Sequence, residues 1–164
     1  MKKIKIGQST DIHQLAEGLP LILGGVVIES EKGCVAHSDG DILVHAIVES
    51  IIGAMGKGDL GTYFSDTEIK NYNRSSLEML DEIREIMKEN GYQIGNIDSL
   101  LLVEQPKLEI YKEKMKENIA IHLQIEYNLV NIKATRGEKI GFIGRGEGIV
   151  AQAVTLLEYN GHKK

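Results

Sequence analysis

The sequence lacks a second cysteine, so Cys34 has no partner for an intrachain disulfide, and this is typical of a reducing compartment. It also lacks long apolar runs. No segment approaches the roughly 20 apolar residues of a membrane-spanning helix, and the N-terminal "MKKIKIGQST" has no signal-peptide core. We therefore expect a cytoplasmic protein with no membrane partner.

An excess of positive charge is missing as well. The formal net charge is -5, which gives no electrostatic support to a nucleic-acid partner. An anionic substrate would need local positive charge or a metal ion. The 164 residues are 42% hydrophobic and 26% charged, values close to the globular average, and we expect one domain over residues 1–164.

Apolar spacing and turn residues predict the order β-β-α-α-β-α-β-α, an α+β fold with helices packed on a small mixed sheet. "KIKIG", "YQIGNIDSLLLVEQP" and "VNIKATR" are typical of strands, and "LPLILGGVVIES" of two short strands or one bulged strand. The predicted helices lie in "SDGDILVHAIVESIIGAMG", "SSLEMLDEIREIMKENG", "LEIYKEKMKENIAIHLQI" and "GIVAQAVTLLEY". The segments "KGDLGTYFSDTEIKNYNRS" and "GEKIGFIGRGEG" are predicted loops.

Cap residues predict where two of these helices begin. Ser38 is the expected N-cap of the first helix, with Asp41 answering it, and Ser75 with Glu78 forms an expected capping box for the second. Asp39 and Asp41 would also interact well with the helix dipole.

Three side chains could form a metal site. Asp11 and His13 lie two residues apart, so an extended chain places them on one face. His45 is expected two turns into the first helix. Two histidines and one carboxylate suit zinc or a similar divalent ion with an open fourth position. The alternative is a strand end and an ordinary helix histidine.

The segment "KATRGEKIGFIGRGEG" combines basic residues with glycines and could bind phosphate. It matches neither the Walker pattern nor G-x-G-x-x-G, so a plain glycine-rich turn remains the alternative. Asp59, Asp66 and Glu68 are either turn residues or ligand contacts.

Several separated segments together resemble the 2-C-methyl-D-erythritol 2,4-cyclodiphosphate synthase family. They are "DIHQL", "LILGGVVI", "KGCVAHSDGDILVHAIVESIIGA", "GDLGTYFSDTE", "NIDSLLLVEQPKL" and "NIKAT" through "GRGEGIVAQAVTLL". The resemblance implies a homotrimer with active sites at subunit interfaces. It also implies an intramolecular phosphoryl transfer in which 4-diphosphocytidyl-2-C-methyl-D-erythritol 2-phosphate cyclises and releases CMP.

The resemblance further implies roles for individual residues. Asp11, His13 and His45 correspond to zinc ligands, which a substrate phosphate would complete, and Glu138 to a carboxylate that helps hold a second divalent ion, magnesium or manganese. The implied substrate contacts are His37, Ser38, Asp59, Gly61, Phe64 and Asp66 near the phosphates and erythritol, and Pro106, Lys107, Leu108, Ala134 and Thr135 near the cytidine and diphosphate. Among these, His37 and Asp59 are expected in catalysis. Phe142 and Arg145 would line a cavity on the trimer axis, a possible isoprenoid site.

The sequence departs from the family at a few positions. Arg136 stands where the family has a threonine thought to assist the transition state, and we count it as a catalytic candidate. "QST" at residues 8–10 replaces a glycine and an aromatic residue, and Ser65 replaces a common proline. Arg136 either stabilises diphosphate charge or perturbs the second metal. The alternatives to an active synthase are therefore an impaired homologue that binds metal, cytidine nucleotide or isoprenoid, and a metal-dependent phosphohydrolase.

Overall fold

The computed structural model describes residues 3–161, which form a mixed five-stranded sheet with helices packed on one face. The strands are β1 (Lys3–Glu17), β2 (Leu21–Leu23), β3 (Val26–Ile28), β4 (Lys32–Cys34), β5 (Tyr92–Leu102), β6 (Val130–Thr135) and β7 (Gly148–Tyr159). The helices are α1 (Ile42–Met55), α2 (Leu60–Tyr63), α3 (Ser76–Glu89), α4 (Lys112–Leu123) and α5 (Gly141–Gly144), with 3-10 turns at Ile69–Asn71, Glu109–Tyr111 and Tyr127–Leu129.

The strand order in the sheet is β4-β1-β7-β5-β6, and β2 and β3 form a separate hairpin. β5 and β6 run parallel, while the other neighbouring strands are antiparallel. The predicted α+β class, with helices on a small mixed sheet, is confirmed. None of the helices within residues 3–161 has the length and hydropathy needed to cross a membrane.

The predicted helix over "GIVAQAVTLLEY" is wrong, because this segment is β7, the central strand of the sheet. Ile149, Ala151 and Ala153 are buried on the helix-covered face, and the residues between them point to the other face. Alanine, leucine and glutamine favour a helix locally. Pairing with β1 on one side and β5 on the other overrides that preference.

Within residues 3–161, the opposite face of the sheet carries no helix and is partly apolar. Ile4, Ile6 and Ile12 of β1 are 57%, 67% and 60% exposed, and Val154 of β7 is 43% exposed. They share this face because side chains alternate along a strand. Several exposed apolar side chains on one face of a sheet are typical of an interaction face.

The start of α1 differs from its prediction. The N-cap is Asp41, whose carboxylate accepts a hydrogen bond from the Val44 N–H at 3.1 Å, so Ser38 is not the cap. His45 consequently lies in the first turn of α1, not two turns in. The helix ends at Gly56, which has a left-handed φ of 74°.

The start of α3 is capped from a distant loop. Ser75 occupies the N-cap position but its side chain makes no cap hydrogen bond, so the predicted capping box with Glu78 is wrong. Instead, the Asp39 carboxylate accepts a hydrogen bond from the Ser76 N–H at 2.9 Å. The two predicted loops also contain the short helices α2 and α5.

Candidate metal centre and substrate pocket

Asp11, His13 and His45 meet at one point, between β1 and the start of α1. Asp11 Oδ2 lies 3.3 Å from His13 Nε2 and 3.4 Å from His45 Nδ1. Ligands of a tetrahedral zinc ion, bound at about 2.0–2.1 Å, are separated by roughly 3.3–3.5 Å. Within residues 3–161 this is the one group of three potential ligands close enough to share a metal ion. The donor set and its spacing fit a divalent cation.

The electrostatics of the triad favour an ionised carboxylate. Burial of Asp11 opposes ionisation, but hydrogen bonds and charge interactions with His13 and His45 outweigh it and hold the pKa of the Asp11 carboxyl below its usual range. The carboxylate is therefore already in the form that binds a cation.

Each histidine has a second ring nitrogen that faces away from Asp11. His45 Nε2 lies 2.8 Å from Ser76 Oγ and 3.1 Å from Ser38 Oγ. His13 Nδ1 is buried and has no hydrogen-bond partner within the part of the chain that the structure describes. Sequence reasoning missed Ser76, and only the fold, which brings α3 against α1, reveals this contact.

A cavity of about 400 Å³ opens beside the triad. The predicted substrate contacts that line it are His37, Ser38, Gly61, Phe64 and Asp66. His37 is exposed, and its carbonyl accepts a hydrogen bond from the Asn73 N–H at 2.9 Å. The structure thus gathers residues from three separated segments around the candidate cation site.

Asp59 is not one of the residues that line this cavity, but it is the N-cap of α2, which forms one wall of the cavity. Its carboxylate accepts hydrogen bonds from the Thr62 N–H at 3.1 Å and the Thr62 hydroxyl at 2.9 Å. The same wall is held by Glu49, which accepts from the Leu60 N–H at 3.1 Å and from Ser9 Oγ at 2.5 Å. Ser9, one of the departures in "QST", thus supports the pocket.

A second cavity, of about 230 Å³, lies at the ends of β5 and β6. It contains the predicted cytidine and diphosphate contacts Pro106, Lys107, Leu108, Ala134, Thr135 and Arg136. Arg136 Nη2 lies 3.6 Å from Glu104 Oε1, and the other Glu104 oxygen accepts from the Gly137 N–H at 2.8 Å. The arginine is 43% exposed and lines this cavity, and the nearby Glu104 carboxylate partly compensates its charge.

The two cavities lie at the same level along the strands, one beside β1 and the other beside β6, with β7 and β5 between them. The pairing Asp11–Ala151–Leu101–Ala134 runs across β1, β7, β5 and β6. Three strand spacings correspond to roughly 14 Å. Ala151 and Leu101 are 0% exposed, so packed side chains fill the direct path between the two cavities.

The remaining predicted residues lie on the loop between β6 and β7. Glu138 and Lys139, with φ of 51° and 63°, form the centre of a tight turn closed by the hydrogen bond from the Ile140 N–H to the Gly137 carbonyl. Arg145 lines a third cavity of about 840 Å³ and pairs with Glu147 at 2.8 Å. Glu138 is not part of a three-ligand cluster within residues 3–161.

Cys34 is not a nucleophile in this arrangement. Burial, together with the carboxylates of Asp41 and Asp11, raises the pKa of its thiol to about 12. At neutral pH the thiolate is therefore too scarce to react.

Comparison with known proteins identifies the family of this chain. The model of the YgbB family matches residues 4–158. The 2-C-methyl-D-erythritol 2,4-cyclodiphosphate synthase of Geobacillus sp. (strain WCH70) is 48% identical over 154 residues, covering 94% of this chain and 98% of the relative. The protein of the same name from Clostridium acetobutylicum is 47% identical, covering 94% and 99%.

Solved structures show the same fold. IspF of Plasmodium falciparum, in a CDP complex, has a TM-score of 0.85 at 34% identity and covers 98% of this chain and 99% of its own. The bifunctional IspDF of Campylobacter jejuni has a TM-score of 0.93 at 40% identity over 97% of this chain, which spans 43% of that longer protein. The chain therefore belongs to the YgbB family and, like its relatives, is an enzyme that synthesises 2-C-methyl-D-erythritol 2,4-cyclodiphosphate.

Proposed function

We propose that the enzyme cyclises 4-diphosphocytidyl-2-C-methyl-D-erythritol 2-phosphate in the cavity beside Asp11, His13 and His45, with zinc or a similar divalent ion held by these three residues. The 2-phosphate oxygen attacks the β-phosphorus, a new P–O–P bond forms, and CMP leaves. The observation that carries this proposal is the spacing of the three ligand atoms, 3.3 and 3.4 Å from the shared Asp11 oxygen.

Both reacting phosphates are anionic, so their mutual repulsion opposes the attack. A cation bound at the triad would lower that repulsion and hold a phosphate oxygen. The residues around it orient the rest of the substrate. His37 and Ser38 contact the phosphate, and Gly61, Phe64 and Asp66 surround the erythritol. Asp59 acts here through α2, because its carboxylate fixes the start of that wall.

The cytidine and diphosphate occupy the cavity at the ends of β5 and β6, formed by Pro106, Lys107, Leu108, Ala134 and Thr135. Arg136 at the mouth of this cavity takes the place of a hydroxyl with a full positive charge directed at the diphosphate. Because Glu104 already pairs with it at 3.6 Å, part of this charge is compensated before substrate binds. Arg136 therefore stabilises substrate charge without reaching the triad.

The active sites lie between subunits of a homotrimer. The substrate must contact both cavities, yet Ala151 and Leu101 fill the path between them within one chain. A neighbouring copy can bring its own second cavity to the first. The apolar open face with Ile4, Ile6 and Ile12 provides surface for such packing.

Glu138 would help to hold a second divalent ion, magnesium or manganese, which would neutralise substrate charge, and this agrees with the exposed position of the carboxylate at the tip of its turn. Phe142 and Arg145 line an axial cavity able to take an isoprenoid. The buried, unreactive Cys34 suits a cytoplasmic enzyme.

The impaired homologue is not the favoured alternative. Relatives at 44–48% identity over most of the chain carry the synthase name, and the triad is intact although Arg136 replaces the family threonine. Incubation with substrate, zinc and magnesium, followed by mass spectrometry, tests the proposal. We expect CMP and the cyclic diphosphate in equal amounts. Linear product would indicate a phosphohydrolase, and no product from folded protein would indicate the impaired homologue.

A matched pair of variants makes this assay specific. Asp11→Asn removes the charge at the triad and is expected to abolish turnover. Asp81→Asn makes the same change on the surface of α3, where Asp81 pairs with Arg84 at 2.8 Å, and is expected to retain most of it. Equal loss in both variants contradicts a special role for the triad.

Mixing two inactive chains tests the interface site. Asp11→Asn disables the first cavity, and Arg136→Glu places a negative charge at the second. Co-refolded trimers contain interfaces in which both cavities are intact, so we expect partial recovery of turnover. No recovery in mixtures shown to exchange subunits contradicts a site shared between chains.

A further inference from the structure

We infer that Ser76 and Asp39 form a positioning pair that fixes the proton of His45 on Nε2 and so leaves the Nδ1 lone pair for the cation. This inference rests on the proposed metal role of the triad. Neither residue touches the cavity's reacting groups; both act through His45.

The contacts define two sides of the His45 ring. Nδ1 faces Asp11 Oδ2 at 3.4 Å, and Nε2 faces Ser76 Oγ at 2.8 Å. Ser76 is 0% exposed and His45 is 6% exposed, so water does not compete for the Ser76 contact. The ring is thus held between a ligand position and a buried hydroxyl.

The chemistry of these groups sets the direction of each hydrogen bond. A carboxylate only accepts, so the short contact between Ser76 Oγ and Asp39 Oδ1 must use the single hydroxyl proton of Ser76. Ser76 Oγ can then only accept from His45, which requires the proton on Nε2. A metal-bound histidine commonly donates its other N–H in this way, which fixes its tautomer and orientation.

Ser38 is a weaker candidate for the same task. Its Oγ lies 3.1 Å from His45 Nε2, but it also faces the cavity and accepts from the Gly40 N–H at 3.3 Å. No carboxylate orients its hydroxyl among the described contacts. Ser38 is therefore free to turn toward substrate, while Ser76 is committed to His45.

The fold holds this pair from several directions. Asp39 Oδ2 accepts from the Ser76 N–H at 2.9 Å, Asp39 Oδ1 accepts from the Asp41 N–H at 3.1 Å, and the Asp39 N–H donates to the Arg74 carbonyl at 3.2 Å. One carboxylate therefore caps α3, braces the start of α1 and orients the hydroxyl behind the metal ligand. Because these hydrogen bonds already hold the His45 ring in place, little side-chain ordering remains when a ligand binds.

The first experiment reads the proton position directly in metal-free protein. Long-range ¹H–¹⁵N NMR of ¹⁵N-histidine protein is expected to show His45 protonated on Nε2. In Asp39→Ala the Ser76 hydroxyl loses its carboxylate acceptor and can donate to Nε2, so a form protonated on Nδ1 is expected. Wild-type His45 protonated on Nδ1, or an unchanged pattern in Asp39→Ala, overturns the inference.

The second experiment measures Zn²⁺ affinity by competition with a chelating dye. Asp39→Asn and Ser76→Ala are expected to raise the dissociation constant by about 10- to 100-fold. The control is Ser50→Ala, which removes a buried hydroxyl of α1 that bonds Thr155 at 2.6 Å, far from Nε2. It is expected to lower stability and leave the affinity unchanged.

The results separate the two proposals. If wild-type protein does not bind Zn²⁺, the metal role fails, while the NMR measurement still tests the proton position. If Asp39→Asn binds Zn²⁺ as tightly as wild type, or Ser50→Ala loses as much affinity, the positioning role is contradicted. Asp39→Asn retains the shape of the side chain, so the test does not depend on Ser76→Ala folding.

Discussion

Replacement of Asp41 by alanine tests how the site is built into the fold. Asp41 is 0% exposed, and its carboxylate joins the turn of the β2–β3 hairpin to the start of α1. Oδ1 accepts from the N–H groups of Gly24 at 2.9 Å and Val44 at 3.1 Å, and Oδ2 accepts from Gly25 at 2.7 Å. His45 directly follows Val44 in the first turn of the same helix.

The magnitude follows from which donors lose their acceptor. Loss of an N-cap costs about 0.5–2 kcal/mol. The Gly24 N–H is buried, and an orphaned buried donor costs about 1–3 kcal/mol. Gly25 is exposed, so water can replace its lost bond. Together these terms predict a loss of about 3 kcal/mol for Asp41→Ala. Asp41→Asn keeps one oxygen, so we expect about 1 kcal/mol.

Urea denaturation followed by far-ultraviolet circular dichroism measures these values, at one protein concentration because assembly also affects stability. Glu78→Ala on the exposed side of α3 is the control, with an expected change within about 0.5 kcal/mol. An Asp41→Ala variant as stable as the control would refute the reasoning, because the three N–H contacts would then contribute nothing.

The other predictions concern activity, pH and assembly. Arg136→Thr is expected to keep cyclic product formation but to weaken substrate binding, seen as a higher KM, because the charge at the cavity mouth is lost; an unchanged KM contradicts a substrate contact. In metal-free protein the lowered pKa of Asp11 stabilises the folded state at pH values above the ordinary pKa of an aspartate. This contribution is lost as the pH falls below about 4. Urea midpoints should therefore drop more between about pH 5 and pH 3 in wild type than in Asp11→Asn, and equal drops contradict the pairing. Ile6→Glu, at a residue 67% exposed on the open face, is expected to shift analytical ultracentrifugation toward monomer, whereas Lys70→Glu on a surface loop is not. Equal assembly of the two variants would argue against that face as the interface.

The sequence was sufficient for the class of fold and for the residues of the triad. Asp11 and His13 share a face because strand periodicity requires it, and His45 reaches them from the first turn of α1. The structure also brings the predicted pocket residues His37, Ser38, Gly61, Phe64 and Asp66 together around them.

Long-range contacts explain what sequence reasoning missed. The helix predicted for residues 148–159 is a strand because β1 and β5 pair with both of its edges, and no local pattern reports that. Ser38 resembled a cap from local spacing, while Asp41 is selected because it also bonds the distant Gly24 and Gly25. The role of Asp39 at Ser76 joins residues 37 positions apart, which no motif of either helix predicts.

The most direct test of the metal centre is anomalous X-ray diffraction from crystals of the protein grown with zinc and CMP. The account predicts one zinc peak per subunit, within bonding distance of Asp11 Oδ2, His13 Nε2 and His45 Nδ1, with His45 Nε2 still directed at Ser76. A zinc peak bound through His45 Nε2, or at other residues with this triad empty, would contradict it.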